Sequence, residues 1–451
     1  MSERHVVGFS TYLKEFLSSK LGLAGLAILI VLLVFTGIAL SIPSKIYASW
    51  NNPSAWKEYP EHVPPAWMSI FYPGMYFTTE KLLPTANSSV AYGKNVHVII
   101  ITYQFNWTKK LAPYNVYFII SYNTTPIEEI IYWTKPDGYT LQISVPSDVY
   151  NTPFDLTSIE GSIVSYISSV TGKTPSLINS TVLSSALFNS PKSDFTVTEQ
   201  GKYLVKIEIV STSPIKITAS RLLLLGNSYG LFGTDYFGRP LDLGILLGLP
   251  NALEIGALTS AVSVIVGVIV GGISGYLGGN KDSAIQWVTL VFLALPALPF
   301  LVAVSFVTRP SLVLEALLIA FLYWPFYAII ARSVALSIKS NAFVEADKLL
   351  GIPSYRVFFT HFMPRLIPMT VAYMALGVPG GILLAQSLAF LGIAPANIVT
   401  WGGILNSAYV HQALVNGWWW WVIFPGIMIV IVSLPFVFIG FAIEKVALGE
   451  R

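Results

Sequence analysis

The sequence predicts an α-helical polytopic membrane protein of six transmembrane helices that carries a mainly β, sandwich-like domain with a helical excursion. Three observations predict it. Only 11% of the 451 residues are charged, against about a quarter in a soluble protein. Six apolar runs are each long enough to cross a hydrocarbon core, which takes about 20 residues. Between the first two runs, residues 44–229 show the period-two alternation of half-buried strands. The absence of Cys excludes disulfides, thiolate metal sites and a Cys nucleophile. A net charge of +3 is too small to suggest nucleic acid as a partner.

The arm 1–20 contains Arg4, Lys14 and Lys20, and the first span covers 21–43. Its apolar run, Leu21–Ile42, exceeds the roughly 7–15 residues of a signal-peptide core. Gly22, Gly25 and Gly37 suit a packed, retained helix, with a cleaved signal peptide as the alternative. In 44–229 the strands announce themselves by alternation: Tyr114, Val116, Phe118 and Ile120; Tyr139, Leu141, Ile143 and Val145; Tyr203, Val205, Ile207 and Ile209. Turn residues such as Lys135-Pro136-Asp137-Gly138 separate them. Leu156, Ile159, Ile163, Ile167 and Val170 instead have helical spacing, which places the excursion near 155–188. Residues 230–250 read as a turn at membrane entry. The core 251–444 supplies five more runs, near 251–278, 284–307, 311–331, 366–391 and 419–443, followed by a tail, 445–451.

Basic residues orient the chain. Lys281, then Arg332, Lys339, Lys348, Arg356 and Arg365, then Lys445 and Arg451 share one side with the N-terminal arm if there are six spans. That puts both termini in the cytoplasm of a plasma-membrane protein and the β domain outside. Asn-x-Ser/Thr sequons at Asn87, Asn106, Asn123 and Asn179 all fall in that domain. They are either N-glycosylation sites of an archaeal or eukaryotic-type surface or chance matches in Ser/Thr-rich sequence.

The loop 336–364 has the shape of a knuckle. Ala346, Leu349 and Leu350 give a short helix one apolar stripe, while Glu345, Asp347 and Lys348 stay wet. Gly351 stops that helix, Ser354 caps the next, and Pro364 and Pro368 break the chain as the fifth span begins. Such a knuckle fits a groove in a partner, or is an ordinary interfacial helix. A second local signature, Gly233-Thr234-Asp235 followed by Gly238-Arg239, reads as an Asx-type turn in which Asp235 and Arg239 pair.

These residues carry a resemblance. Trp324-Pro325, Arg332, Glu345-Ala346, Leu350-Gly351 and His361-Phe362-Met363-Pro364 stand in the order of the EAA loop of ATP-binding-cassette importer permeases. The Gly-Thr-Asp-x-x-Gly-Arg element, Ser387 to Gly392, Trp401-Gly402 and Phe424-Pro425-Gly426 resemble the dipeptide/oligopeptide branch. Asp347 stands where the family usually has a second Ala, Met363 where it has Leu, and no Glu stands near Gln386. The resemblance covers Gly230–Val446 well and Leu21–Ile42 loosely; the β insert lies outside it.

The resemblance implies a non-catalytic permease subunit that imports peptides or oligosaccharides. The implied partners are a second homologous permease, two ATPase subunits and an extracellular solute-binding protein. ATP and Mg would be bound by the ATPases, since this chain has no phosphate-binding loop and no cofactor of its own. The ATPase-coupling residues would be Glu345, Ala346, Asp347, Leu349, Leu350, Gly351, Arg356 and Pro364. Pore-lining or gating candidates are Gly377, Pro379, Gly381, Gln386 and Ser387. Glu254 and Glu315 lie near span ends, Arg332 snorkels, and Trp418–Trp421 form an outer aromatic belt. The five His are scattered and suggest no metal site. Two rival readings are a membrane-anchored surface protein whose β domain binds a ligand or envelope partner, and a membrane enzyme acting on lipid-linked sugars.

Overall fold

The computed structural model describes residues 9–92, 96–123, 126–145, 154–155, 159–172, 180–190, 193, 195–308, 311–395 and 398–448. The chain divides into two units: 1–51 with 243–451, and 52–242. It opens with α1 (Phe9–Ser18), α2 (Lys20–Ser41) and α3 (Ser44–Ser49). The Ser19 hydroxyl caps α2, accepting from the Gly22 N–H at 3.3 Å.

The second unit is built on two antiparallel sheets. Its elements are α4 (Met68–Phe71), β1 (Glu80–Leu82), β2 (Ala86–Tyr92), β3 (Val96–Trp107), β4 (Asn115–Tyr122), β5 (Glu128–Thr134), β6 (Thr140–Ser144) and β7 (Phe154–Asp155). Then follow α5 (Glu160–Thr171), α6 (Ser180–Phe188), β8 (Gly201–Ser211) and β9 (Ile217–Leu225). One sheet runs β1-β9-β4-β7, the other β2-β3-β8-β5-β6. The period-two residues meet across strands: Ile207 on β8 pairs with Ile101 on one side and Ile131 on the other, and Val205 with Tyr103 and Trp133. Both sheets and helices α5 and α6 contribute to one core that includes Trp107, Phe118, Trp133, Ile163, Leu187 and Tyr203. Strand β4 departs from simple alternation. Tyr117 and Ile119 on its other face are also buried, against Leu223 and Leu225.

The remaining helices are α7 (Leu241–Leu277), α8 (Gly279–Leu293), α9 (Ala297–Thr308), α10 (Leu312–Lys339), α11 (Ala342–Leu349), α12 (Ser354–Val357), α13 (Met363–Phe390), α14 (Trp401–Val410) and α15 (Trp420–Leu448). Among the described residues five helices are long and apolar enough to cross a membrane, or six if α8 and α9 together form one span bent by 76°. The sequence predicts one run there, near 284–307. The break falls at Leu295-Pro296, where proline removes a helix donor and pushes its predecessor out of the helical region. Helix α7 also starts earlier than predicted. Leu241, Ile245, Leu249 and Ala252 continue the helical spacing and are all buried, so the membrane-entry turn ends at Pro240. Helix α14 occupies a stretch with no predicted element; its Trp401 indole donates to the Ile245 carbonyl at 3.0 Å.

Small residues set the helix spacing. A β-carbon on Gly271 of α7 would lie 2.7 Å from the carbonyl carbon of Ala328 on α10, and one on Gly275 would lie 2.7 Å from the Ala335 side chain. A β-carbon on Gly381 of α13 would lie 3.0 Å from the Thr259 side chain of α7, and Gly25 of α2 meets Pro435 and Ile439 of α15. In lipid, where helices gain little by hiding apolar surface from one another, such close approach is the main source of attraction. Gly37, by contrast, has nothing within 4 Å among the described residues. Gly271→Leu is therefore expected to destabilise by about 1–3 kcal/mol or more, lowering the thermal midpoint of the detergent-solubilised chain. Gly37→Leu should leave it unchanged, and equal midpoints for both variants would contradict this packing.

Candidate functional site

The knuckle is present and differs from its predicted form in instructive ways. Helix α11 ends where Gly351 takes a left-handed φ of +75°, and the Ile352 N–H turns back to the Asp347 carbonyl at 3.0 Å. This is the glycine-dependent stop that a side chain would strain. The buried side of α11 is Val344, which joins Ala335 and Ile338 of α10 with Val357, Phe358 and Phe362 in one small core. The predicted stripe therefore faces outward: Leu349 is 87% and Leu350 78% exposed, and Ala346 is exposed beside them. Tyr355 and Phe359 extend the exposed apolar surface, with Glu345 and Arg356 also exposed.

Asp347 is not simply wet. Its carboxylate meets His361 Nε2 at 2.6 Å, and Phe343 packs against the same imidazole with ring centres 5.0 Å apart. Arg365 lies over Phe343 at 4.5 Å. Ser354 does not cap the second helix; it is the first helical residue, and Pro353 occupies the cap. Nor do the prolines break the chain, since 354–390 forms one helical rod. The reason is a wide π-type turn, Phe358–Phe362, closed by the Met363 N–H on the Phe358 carbonyl. The extra residue in that turn makes room for Pro364 at the start of α13.

The membrane-entry signature forms a tight, internally bonded turn. Gly233 and Gly238 have φ of +81° and +76°. The Thr234 hydroxyl donates to the Pro60 carbonyl at 2.6 Å and accepts from the Val63 N–H at 3.1 Å. Asp235 is fully buried, accepts from the Phe237 and Arg239 N–H groups at 2.9 Å each, and forms an ion pair with Arg239 Nε. Thr234 and Asp235 are thus committed to holding the turn.

The pore and gate candidates are mostly packing residues. Gly377 lies against Ser260 and Tyr327, and Gly381 against Thr259. Gln386 is buried and accepts from the Gly402 N–H at 2.7 Å, which ties α13 to α14. Ser387 bonds back to the Leu383 carbonyl, and Pro379 is half-buried inside α13. The Ser260 hydroxyl of α7 donates across to the Met374 carbonyl of α13 at 2.6 Å. Arg332 does not snorkel: it grips Asp282 with two bonds of 2.7 and 2.6 Å, joining α10 to α8. Nothing in the local sequence pairs these residues, which lie fifty positions apart. Glu315 is 4% exposed rather than solvated, and lines a recess with Asn251, Gln386 and Thr400. Glu254 is exposed, as expected of a span end. Trp420 and Trp421 are buried, so only part of the tryptophan run has belt character. Of the sequons, Asn87, Asn106 and Asn123 are exposed, and Asn179 lies outside the described residues.

The two units define a multi-pass helical membrane protein with a β-rich insert and an apolar knuckle between two long helices. Residues 264–447 match the family model described as the binding-protein-dependent transport system inner membrane component. A dipeptide transport system permease of Alkalihalophilus pseudofirmus is 30% identical over 210 residues, 46% of this chain and 68% of that protein. An oligopeptide transport system permease of Haemophilus influenzae is 30% identical over 213 residues, 47% and 68% of the two chains. A probable D,D-dipeptide transport system permease of Escherichia coli is 28% identical over 233 residues, 51% and 77%. The chain belongs to this family of transport-system membrane components.

Removing one member of a buried ion pair leaves the other charge uncompensated, at a cost of about 3–5 kcal/mol. Arg239→Ala is therefore expected to destabilise the chain by that order, and Arg239→Lys by less, as read by thermal unfolding. An Arg239→Ala variant as stable as wild type would show that the pair does not hold the turn.

Proposed function

We propose that this chain is a non-catalytic permease subunit of an ATP-driven importer of peptides, coupled to partner ATPases through the knuckle at 342–362. The observation that carries the reading is the outward apolar tip, Leu349 and Leu350, on a base rooted in α10 and α13. Two leucines held in water cost free energy that a partner surface recovers. Glu345 and Arg356 are exposed on the same knuckle, Gly351 sets its corner, Asp347 fixes its base, and Pro364 stands at the start of α13. The names of the relatives support peptides as cargo.

In this reading the ATPases bind ATP and Mg, and their closure displaces α11. The continuous 354–390 rod is about 55 Å long at 1.5 Å per residue, more than the roughly 30 Å of a hydrocarbon core. A push on the knuckle therefore reaches the membrane without a flexible joint. The basic loops favour cytoplasmic termini and an outer β unit, which is suited to receiving a solute-binding protein or covering the pore mouth. Exposed Asn87, Asn106 and Asn123 would be open to glycosylation there. A second permease completes the pore.

The test is co-purification from native membranes through a tag on this chain. Wild type is expected to bring down ATPases and a second permease. Leu349→Asp with Leu350→Asp should keep the permease and lose the ATPases at least tenfold. Wild type emerging alone, or the double variant retaining its ATPases, would overturn the coupling role.

A further inference from the structure

We propose that Lys135 and Asn189 in the β-rich unit become joined through their side chains in an intramolecular isopeptide bond, with Glu199 transferring the proton. Lys135 is 2% exposed and Asn189 6%. The lysine Nζ donates to the Asn189 main-chain oxygen at 2.6 Å, so the amine lies beside the residue whose side chain offers the electrophilic carboxamide. Aromatic rings enclose it: Nζ is 5.7 Å from the centre of Tyr166 and 5.4 Å from that of Phe195. Trp133, Phe188 and Tyr203 are fully buried in the same core.

The carboxamide is held in place. Its Oδ1 accepts from the Thr198 hydroxyl at 2.8 Å, and its Nδ2 donates to the Phe195 carbonyl at 2.6 Å. The Glu199 N–H bonds the Phe188 carbonyl at 2.9 Å, which anchors the glutamate one residue beyond Thr198 and beside Asn189. Glu199 Oε2 is buried with no hydrogen-bond partner among the described residues. Such an orphan oxygen is costly in a merely structural cluster and calls for an explanation. Burial lowers the Lys135 ammonium to about 8, against the opposing charges of Glu199 and Asp137, which makes a neutral, nucleophilic amine available near neutral pH.

The chemistry balances without an oxidant or a metal. Neutral Nζ attacks Asn189 Cγ, and the Thr198 hydroxyl faces the oxygen that takes up negative charge. The Cγ–Nζ bond forms and the Cγ–Nδ2 bond breaks. Glu199 carries a proton from Nζ to Nδ2, which departs as ammonia. The product ties the β5–β6 turn to the segment after α6 and closes a long loop, the kind of link that constrains an unfolded chain most. In a chain without Cys no disulfide can do this.

The test is mass spectrometry of the full-length protein purified from a bacterial host, intact and after proteolysis. Wild type is expected to be lighter than its sequence by one ammonia and to yield a branched peptide containing both 135 and 189. Lys135→Arg and Glu199→Gln should have their full sequence masses, with digestion patterns that report folded chains. Full mass and two separate linear peptides in wild type would overturn the proposal and leave Lys135 as a caged structural cation. Ammonia loss that persists in Lys135→Arg would overturn the bond, and loss that persists in Glu199→Gln would overturn the role of the glutamate.

Discussion

Close approach of helix backbones at glycine is the constraint on which the membrane unit depends. A lipid-embedded helix must satisfy its backbone bonds internally, so helices are given, and what remains to be decided is how they touch. Gly271 and Gly275 let α7 reach α10, and Gly377 and Gly381 bring α13 against α7. Polar groups then use the short distance. Ser260 reaches the Met374 carbonyl, and Thr259 the Ala316 carbonyl at 3.3 Å. With larger residues at those glycines the bonds would not close.

The same packing decides what the knuckle can transmit. Glu315 of α10 and Gln386 of α13 line one recess, and at the other end of these helices lies the core of Ala335, Val344, Val357 and Phe362. Between these points α13 continues without a break through its prolines. The wide turn at Phe358–Phe362 keeps it whole, and the Asp347–His361 contact ties α11 to that turn. Short apolar helices are weak alone; here α11 is firm because its base is packed and its tip is left free.

Much of this was legible in the sequence, and the failures have physical causes. Apolar run length located the long helices, and period two located β4, β6 and β8, because burial on one face writes itself into spacing. Gly351 and the turn at Gly233–Arg239 were legible because few residues tolerate those backbone angles. What was not legible depended on partners distant in the chain. Asp282 and Arg332 look like solvated ends until α8 and α10 are placed side by side, and Gln386 looks like pore lining until α14 supplies the Gly402 N–H. The direction of the Leu349–Leu350 stripe was hidden because spacing shows that a stripe exists, not which way it faces. Pro364 misled because a single π-type turn before it absorbs its cost, and Pro368 because α13 continues through it.

The central claim is that the tip of the knuckle sits in an ATPase. The chain has no Cys, so a single cysteine at position 350 gives an unambiguous chemical handle. Leu350→Cys, treated in native membranes with a short bifunctional maleimide, is predicted to cross-link to an ATP-binding subunit, with a yield that changes when ATP is added. A cysteine that labels freely with a soluble maleimide, forms no cross-link and ignores ATP would contradict the account.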